Sequence, residues 1–239
     1  MSELTNFDAV DQAALVASGK VSARELIDAA IAQAEAVNGD INEIIHPRFE
    51  RAQKEADAGL PAGPFTGVPM VLKDLGAPLA GEPHHMGTRF LKNENYIASR
   101  SSYLTQRFLR AGFVVIGRTN TPEFGAGANT RNAVYGVTGN PFDPMKSAAG
   151  SSGGSGVALA TNMFPICSGS DTGGSLRNPA AFNGIVGYRP SPGLVPSEKR
   201  AHGWSGLPVL GPMARNVPDV CLLLSAMASD DGRDPLAYT

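Results

Sequence analysis

The sequence predicts an α/β fold, a buried β-sheet core, mixed or largely parallel, flanked by helices. Three observations carry that expectation. Short apolar strand-like runs alternate with helical segments over most of the chain. Those runs read as strands buried within a sheet rather than as half-exposed ones. The 239 residues are also enough to bury a substantial core.

The first 60 residues form a helical lead-in. Val10, Ala14 and Leu15 share helical spacing between Phe7 and Ser18, and Gly19 closes that helix. Ser22-Ala-Arg-Glu25 matches a capping box, in which the Glu25 carboxylate reaches back to the Ser22 N–H. The helix that follows carries Leu26, Ala29, Ala30, Gln33 and Val37, with Gly39 as its expected terminator. Ile41 to Ile45 reads as a short strand, and Pro47 opens a third helix reaching Ala58. Residues 61–228 then form the core. Strands are expected at Val68–Leu72, Phe113–Ile116, Pro165–Cys167 and Gly184–Tyr188, and helices at Ser101–Ala111, Gly154–Ala160 and Pro218–Met227. Residues 229–239 form a polar loop. There is no internal repeat and no visible domain boundary.

Composition narrows the partners. A formal net charge of −2 without any basic run argues against nucleic acid or an anionic membrane surface. No apolar run approaches the ~20 residues that a membrane span requires. The first residues, Met-Ser-Glu-Leu-Thr-Asn-Phe-Asp, lack the basic start and apolar stretch of a signal peptide. Cys167 and Cys221 both lie in apolar stretches, which suits buried thiols in a reducing compartment. The expected location is cytoplasmic.

Three features bear chemistry. Lys73 closes the apolar run Val68–Leu72 and precedes Asp74. It reads either as a lysine paired to that aspartate or as one kept neutral as a general base, which requires desolvation or a neighbouring cation. The second feature is Gly150-Ser-Ser-Gly-Gly-Ser155, a Gly/Ser loop opening into a helix. Its N–H groups suit an anion. The Gly-Lys-Ser/Thr that completes a nucleotide loop is missing, and the apolar residues that follow argue against a linker. The third is Asp171-Thr-Gly-Gly-Ser-Leu-Arg177, where two glycines let backbone approach a ligand closely ahead of a serine. Its successive N–H groups suit an oxyanion hole. An ordinary turn closed by an Asp171–Arg177 ion pair is the alternative. Of the four histidines, the adjacent His84 and His85 point apart on an extended segment, so no metal site is expected.

Taken together, these segments resemble the amidase-signature family. Its Gly/Ser run is matched by Gly150–Ser155 and its Asp-x-Gly-Gly-Ser-hydrophobic-Arg-x-Pro by Asp171–Pro179, with the family's 24-residue interval from Ser151 to Ser175. Gly67–Asp74, Gly117–Phe124, Asn140-Pro141 and Gly184–Pro190 fit as well. The chain departs at Ala149, where glycine is usual, and at Ser191, where the family has Lys-Pro-Thr.

The resemblance implies a serine hydrolase that cleaves carboxamide C–N bonds through an acyl-enzyme, without a cofactor. Ser175 would be the nucleophile. Ser151, reached through a cis peptide bond, would link it to the base Lys73. The N–H groups of Thr172, Gly173, Gly174 and Ser175 would hold the oxyanion, with Ser152, Asp171 and Arg177 in support and Gly125 bordering the substrate. The substrate would be a small linear or cyclic amide, with the 6-aminohexanoate cyclic dimer hydrolases as the nearest subgroup. The glutaminase component of a tRNA-dependent amidotransferase is the alternative within catalysis, and a non-catalytic fragment that binds a partner is the alternative outside it. Family members are longer, so the chain is expected to be the N-terminal half of the fold, with a missing C-terminal half or a homodimer as its partner.

Overall fold

The computed structural model describes residues 3–198, 200 and 202–238. Its elements in order are α1 (Ala9–Ala17), α2 (Ala23–Ile41), β1 (Ile44–Pro47), α3 (Phe49–Ala58), β2 (Pro69–Lys73), α4 (Arg89–Asn93), α5 (Tyr103–Arg110) and β3 (Val114–Thr119). Two small ribbons follow, β4 (Arg131–Asn132) with β5 (Gly136–Val137) and β6 (Gly139–Asn140) with β7 (Asp143–Ser147). The chain continues through α6 (Gly153–Ala160), β8 (Ile166–Asp171), α7 (Arg177–Asn183), β9 (Val186–Gly187), β10 (Val209–Ala214) and α8 (Val217–Met227).

The six-stranded sheet has the order β1-β3-β2-β8-β10-β9 and is mixed, the arrangement that the amidase-signature resemblance implies. β2 runs parallel to β3 on one side and to β8 on the other, while β1, β10 and β9 run antiparallel to their neighbours. Every residue of β2, β3 and β10 except Leu210, and of β8 except Ser170, is buried. The period-two alternation of a strand sends neighbouring side chains to opposite faces. Met70 and Leu72 therefore join Phe65, Phe108, Phe113 and Leu223 beneath α5 and α8. Val71 joins Ile27, Ile31, Val114 and Leu159 beneath α2 and α6. The three parallel strands end at Lys73, Thr119 and Asp171 on one rim of the sheet. In parallel α/β sheets, ligands sit beyond the carboxyl ends of the strands.

The capping box of α2 forms, with the Ser22 N–H donating to Glu25 at 2.8 Å and the Glu25 N–H to Ser22 Oγ at 3.1 Å. Gly39 does not end that helix. The left-handed cap is Asn42, at φ 59°, because Asn38 Oδ1 accepts from the N–H groups of Glu43 and Ile44 and moves the exit downstream. The first strand therefore begins at Ile44 rather than Ile41, and Pro47 ends it rather than opening α3, whose N-cap is Arg48. Gly184 caps α7 at φ 66°, which trims the strand expected at Gly184–Tyr188 to β9. Cys167 is buried but Cys221 is exposed on α8, against the expectation of two buried thiols. The terminal segment, whose Thr239 lies outside the described residues, docks rather than projecting. Asp234 is buried and accepts from Arg200 Nε at 2.8 Å and from the Ser197 N–H at 2.8 Å. No described helix is long and apolar enough to cross a membrane.

Candidate active site

Lys73 is the last residue of β2 and is fully buried. Its own N–H donates to Ser168 Oγ at 2.9 Å, which fixes the strand end against β8. Three hydroxyls surround Nζ: Ser151 Oγ at 2.7 Å, Ser152 Oγ at 2.9 Å and Ser170 Oγ at 2.9 Å. Among the described residues no carboxylate forms an ion pair with it. Asp74 turns the other way, its Oδ1 3.3 Å from His84 Nδ1. Of the two readings of Lys73, the ion pair with Asp74 is not made. Burial pushes the ammonium down to about 7, against the more distant pull of Asp171.

The serines come from the Gly/Ser loop and from β8. The Gly150–Ser151 peptide bond is cis, and Ala149 sits in the left-handed region at φ 56°, the conformation that favours the glycine usual at this position. Thr130 holds the turn, its N–H and its hydroxyl both donating to the Ala149 carbonyl, at 2.9 and 2.8 Å. The Thr121 hydroxyl donates to the Ser151 carbonyl at 3.0 Å. Helix α6 then packs hard against the end of β3, so close that a Cβ on Gly154 would lie 2.7 Å from the backbone N and O of Asn120. That approach explains the second glycine of the pair. Ser155 is structural, bridging Thr119 Oγ1 at 2.9 Å and the Ser168 carbonyl at 3.0 Å.

The turn after β8 is organised by Asp171. Its carboxylate accepts from the N–H groups of Gly174 at 2.8 Å and Leu176 at 3.1 Å, from Arg177 Nε at 3.0 Å and from Arg189 Nη1 at 3.0 Å. Burial alone would raise its pKa. The Arg177 hydrogen bond and the two N–H groups outweigh burial and hold the carboxyl well below the usual range. The expected Asp171–Arg177 pair thus exists, within a larger cluster that sequence reading did not foresee. The Gly174 N–H is already committed to Asp171, whereas those of Thr172, Gly173 and Ser175 have no hydrogen-bond partner among the described residues.

The structure gathers Lys73, Ser151, Ser152 and Ser170 into one cluster. Ser175 stands four residues beyond the end of β8, partly exposed, its Oγ unbonded to any described residue. Gly125 does border the cluster, since a Cβ there would lie 3.4 Å from Ser151 Oγ. Ser170 is the member that sequence reading missed. Its signal is its spacing from Ser168, two positions apart on β8 and hence on one face, both touching Lys73. Beside the cluster opens a cavity of about 790 Å³, lined by Ser170, Thr172, His84, Leu75 and Phe124 among others. His84 and His85 diverge, the first toward Asp74 and the second onto the Tyr135 hydroxyl.

A serine–lysine cluster at one rim of a mixed sheet, beside an Asp-Thr-Gly-Gly-Ser turn, sits within the stretch matched by one protein-family profile, Amidase, which spans residues 25–238. The chain belongs to the amidase family. It is 41% identical over 224 residues to the 6-aminohexanoate-cyclic-dimer hydrolase of Paenarthrobacter ureafaciens, an alignment covering 92% of this chain and 45% of that protein. It is 38% identical over 246 residues to a glutamyl-tRNA(Gln) amidotransferase component of Streptomyces coelicolor, covering all of this chain and 48% of that one. Superposition on a substrate complex of 6-aminohexanoate cyclic dimer hydrolase gives a TM-score of 0.94 at 37% identity, over 100% of this chain and 49% of the other. A bacterial aryl acylamidase of the amidase-signature family gives 0.93 at 32% identity, over 99% and 50%. The chain thus spans about half the length of the curated relatives it matches.

Proposed function

We propose that this chain carries the nucleophile-bearing half of a carboxamide hydrolase in which Ser175 attacks, Ser151 relays the proton and Lys73 is the base. The observation that carries the reading is the 2.7 Å contact between Ser151 Oγ and a fully buried Lys73 amine whose burial brings it to about 7. An amine that is neutral near pH 7 accepts a proton. An ordinary lysine at 10.5 does not. The hydrogen-bond directions support the relay. The Ser152 hydroxyl donates to the Ser170 carbonyl at 3.3 Å, so its oxygen is free to accept an N–H from Lys73. The amine lone pair then remains for the Ser151 proton.

Attack by Ser175 Oγ on the amide carbon forms a C–O bond as its proton passes through Ser151 to Lys73. The same proton returns along that path to the departing nitrogen, which leaves as an amine. Water repeats the cycle on the acyl-enzyme and releases the acid. The N–H groups of Thr172, Gly173 and Ser175 stabilise the oxyanion, while that of Gly174 secures Asp171 instead. Arg177 and Asp171 keep the turn in shape, and Ser152 positions the amine. The substrate is a linear or cyclic carboxamide. The test is covalent labelling by a fluorophosphonate: Ser175→Ala should abolish it, and labelling retained in that variant moves the nucleophile elsewhere.

The 38% identity to an amidotransferase component over the whole chain supports a second reading, a glutaminase half that delivers ammonia to a partner. Turnover of glutamine alone, dependent on added partner proteins, separates it from hydrolysis of simple amides by one protein.

A further inference from the structure

Two left-handed dipeptides meet at the cavity beside Ser170 and Thr172. Met86 and Gly87 have φ of 51° and 68°, and Phe124 and Gly125 have φ of 51° and 72°. L side chains rarely adopt this region, so two non-glycine residues holding it at one place mark a constrained element. The constraint is visible. The Phe124 N–H donates to the Met86 carbonyl at 2.8 Å. Gly87 lies under the opposing segment so tightly that a Cβ would come within 2.9 Å of the Thr121 carbonyl oxygen and 3.2 Å of Glu123 Cα. Gly125 in turn abuts Leu75, a Cβ there falling 2.5 Å from Cδ2, and approaches Ser151 Oγ. Both backbones are thereby locked to each other and to the serine cluster.

The outcome is that Met86 and Phe124 both line the cavity. Phe124 is 58% exposed, so hydrophobic burial in the core does not account for its place. Of the charged groups elsewhere in the wall, Arg200 is tied to Asp234 at 2.8 Å and Glu198 to Arg233 at 3.1 Å, while Arg100 is an exposed side chain 3.9 Å from Glu198. The buried countercharges are thus committed, and the remaining one, Arg100, is exposed to solvent. We infer that Met86 and Phe124 are specificity-determining residues, a fixed apolar jaw beside the serine cluster that selects carboxamides bearing an uncharged apolar chain over short or charged ones. The inference rests on the hydrolase reading above. A thioether and a phenyl ring grip a methylene chain by area and dispersion, and one methylene more or less in such a pocket changes selection by roughly 10-fold or more.

The test is binding of hexanamide and acetamide to the full chain carrying Ser175→Ala, followed by ligand-observed NMR titration. Hexanamide should bind at least ~10-fold more tightly, and either Met86→Ala or Phe124→Ala should cut that ratio by about 10-fold, while Met86→Leu, which keeps the apolar volume, should preserve it. Because Phe124 is largely exposed, its truncation leaves folding intact and stands alone should Met86→Ala fail to fold. A ratio near one in the parent, or a ratio unmoved in Phe124→Ala, overturns the inference. Fluorophosphonate labelling that persists after Ser175→Ala, in a chain that still shows the binding ratio, overturns the Ser175 reading above and leaves the jaw standing.

Discussion

Lys73 Nζ lies 2.7 Å from Ser151 Oγ at the end of a strand whose five residues are all buried. No carboxylate pairs with it, and hydroxyls compensate a buried ammonium less than a carboxylate would. Burial therefore decides the protonation state. Activity should rise through about pH 7 as Lys73 loses its proton. Lys73→Arg should remove activity at every pH, since a guanidinium stays charged throughout. A pH–rate profile of kcat/KM that keeps its acid limb in Lys73→Arg would assign that limb to another group.

Ser170→Ala should lower kcat by about 5–10-fold, the equivalent of one net hydrogen bond of ~1 kcal/mol. The Ser170 hydroxyl fixes the amine at 2.9 Å. Its loss lets Nζ wander from Ser151 without touching the fold, so the melting temperature should hold while kcat drops. A variant with full kcat would make Ser170 a bystander.

Asp171 is the hub of the turn that carries Ser175, and its removal leaves the Gly174 and Leu176 N–H groups buried beside two arginines. Arg177 is half exposed, so its pairing with Asp171 is screened and the loss falls mainly on the two buried N–H groups, at about 1–3 kcal/mol for a buried group left unsatisfied. Asp171→Ala should lose stability on that scale in urea unfolding at pH 7. The carboxyl is held below its usual 3.8. Its contribution is therefore complete above about pH 4 and disappears as pH falls below that value, so wild type and variant should converge in acid. Equal stabilities at pH 7 would contradict the hub.

How much of this was legible in the sequence follows from the kind of signal each residue leaves. The strand ending at Lys73, the helix after the Gly/Ser loop and the capping box at Ser22 are local patterns, and each appears where expected. β10 was not visible because Gly211 and Pro212 interrupt an otherwise apolar run, although the strand pairs with all six residues of β8. The end of α2 was misplaced because its cap depends on the Asn38 side chain rather than on Gly39. In the site, Lys73 and Ser151 are separated by 78 positions yet share a motif order that sequence reading can use. Ser170 left only the weak signal of its two-residue spacing from Ser168, and the commitment of the Gly174 N–H to Asp171 is a product of packing in the turn that no local pattern announces.

Gly154→Ala should destabilise by about 1–3 kcal/mol despite a helical position where alanine is ordinarily preferred. The added Cβ would lie 2.7 Å from the Asn120 backbone, which has no side-chain rotamer to yield. Chemical denaturation reads the loss. A stabilised variant would show that α6 can slide away from β3.

Two buried groups contribute to stability in opposite senses, and each is read from its own variant, because His46, lowered by burial from 6.5 to about 4, opposes Glu43 over the acid window. Glu43 is fully buried, neither carboxylate oxygen has a hydrogen-bond partner among the described residues, and desolvation raises it from 4.5 to about 7. Between those values the folded state binds the extra proton, so stability falls as pH rises, by roughly 3 kcal/mol over the window. Lys73, lowered from 10.5 to about 7, acts in the reverse sense. The unfolded state binds the extra proton above pH 7, so stability climbs toward pH 10.5 by roughly 5 kcal/mol. Relative to wild type, Glu43→Gln should gain stability as pH rises from 4.5 to 7 and be more stable at pH 8, whereas Lys73→Met should be more stable at pH 7 and lose that advantage toward pH 10.5. Unfolding free energies measured from pH 4.5 to 10 check both slopes. A Glu43→Gln variant no more stable than wild type at pH 8 would show that water or a rearranged partner reaches the Glu43 carboxylate.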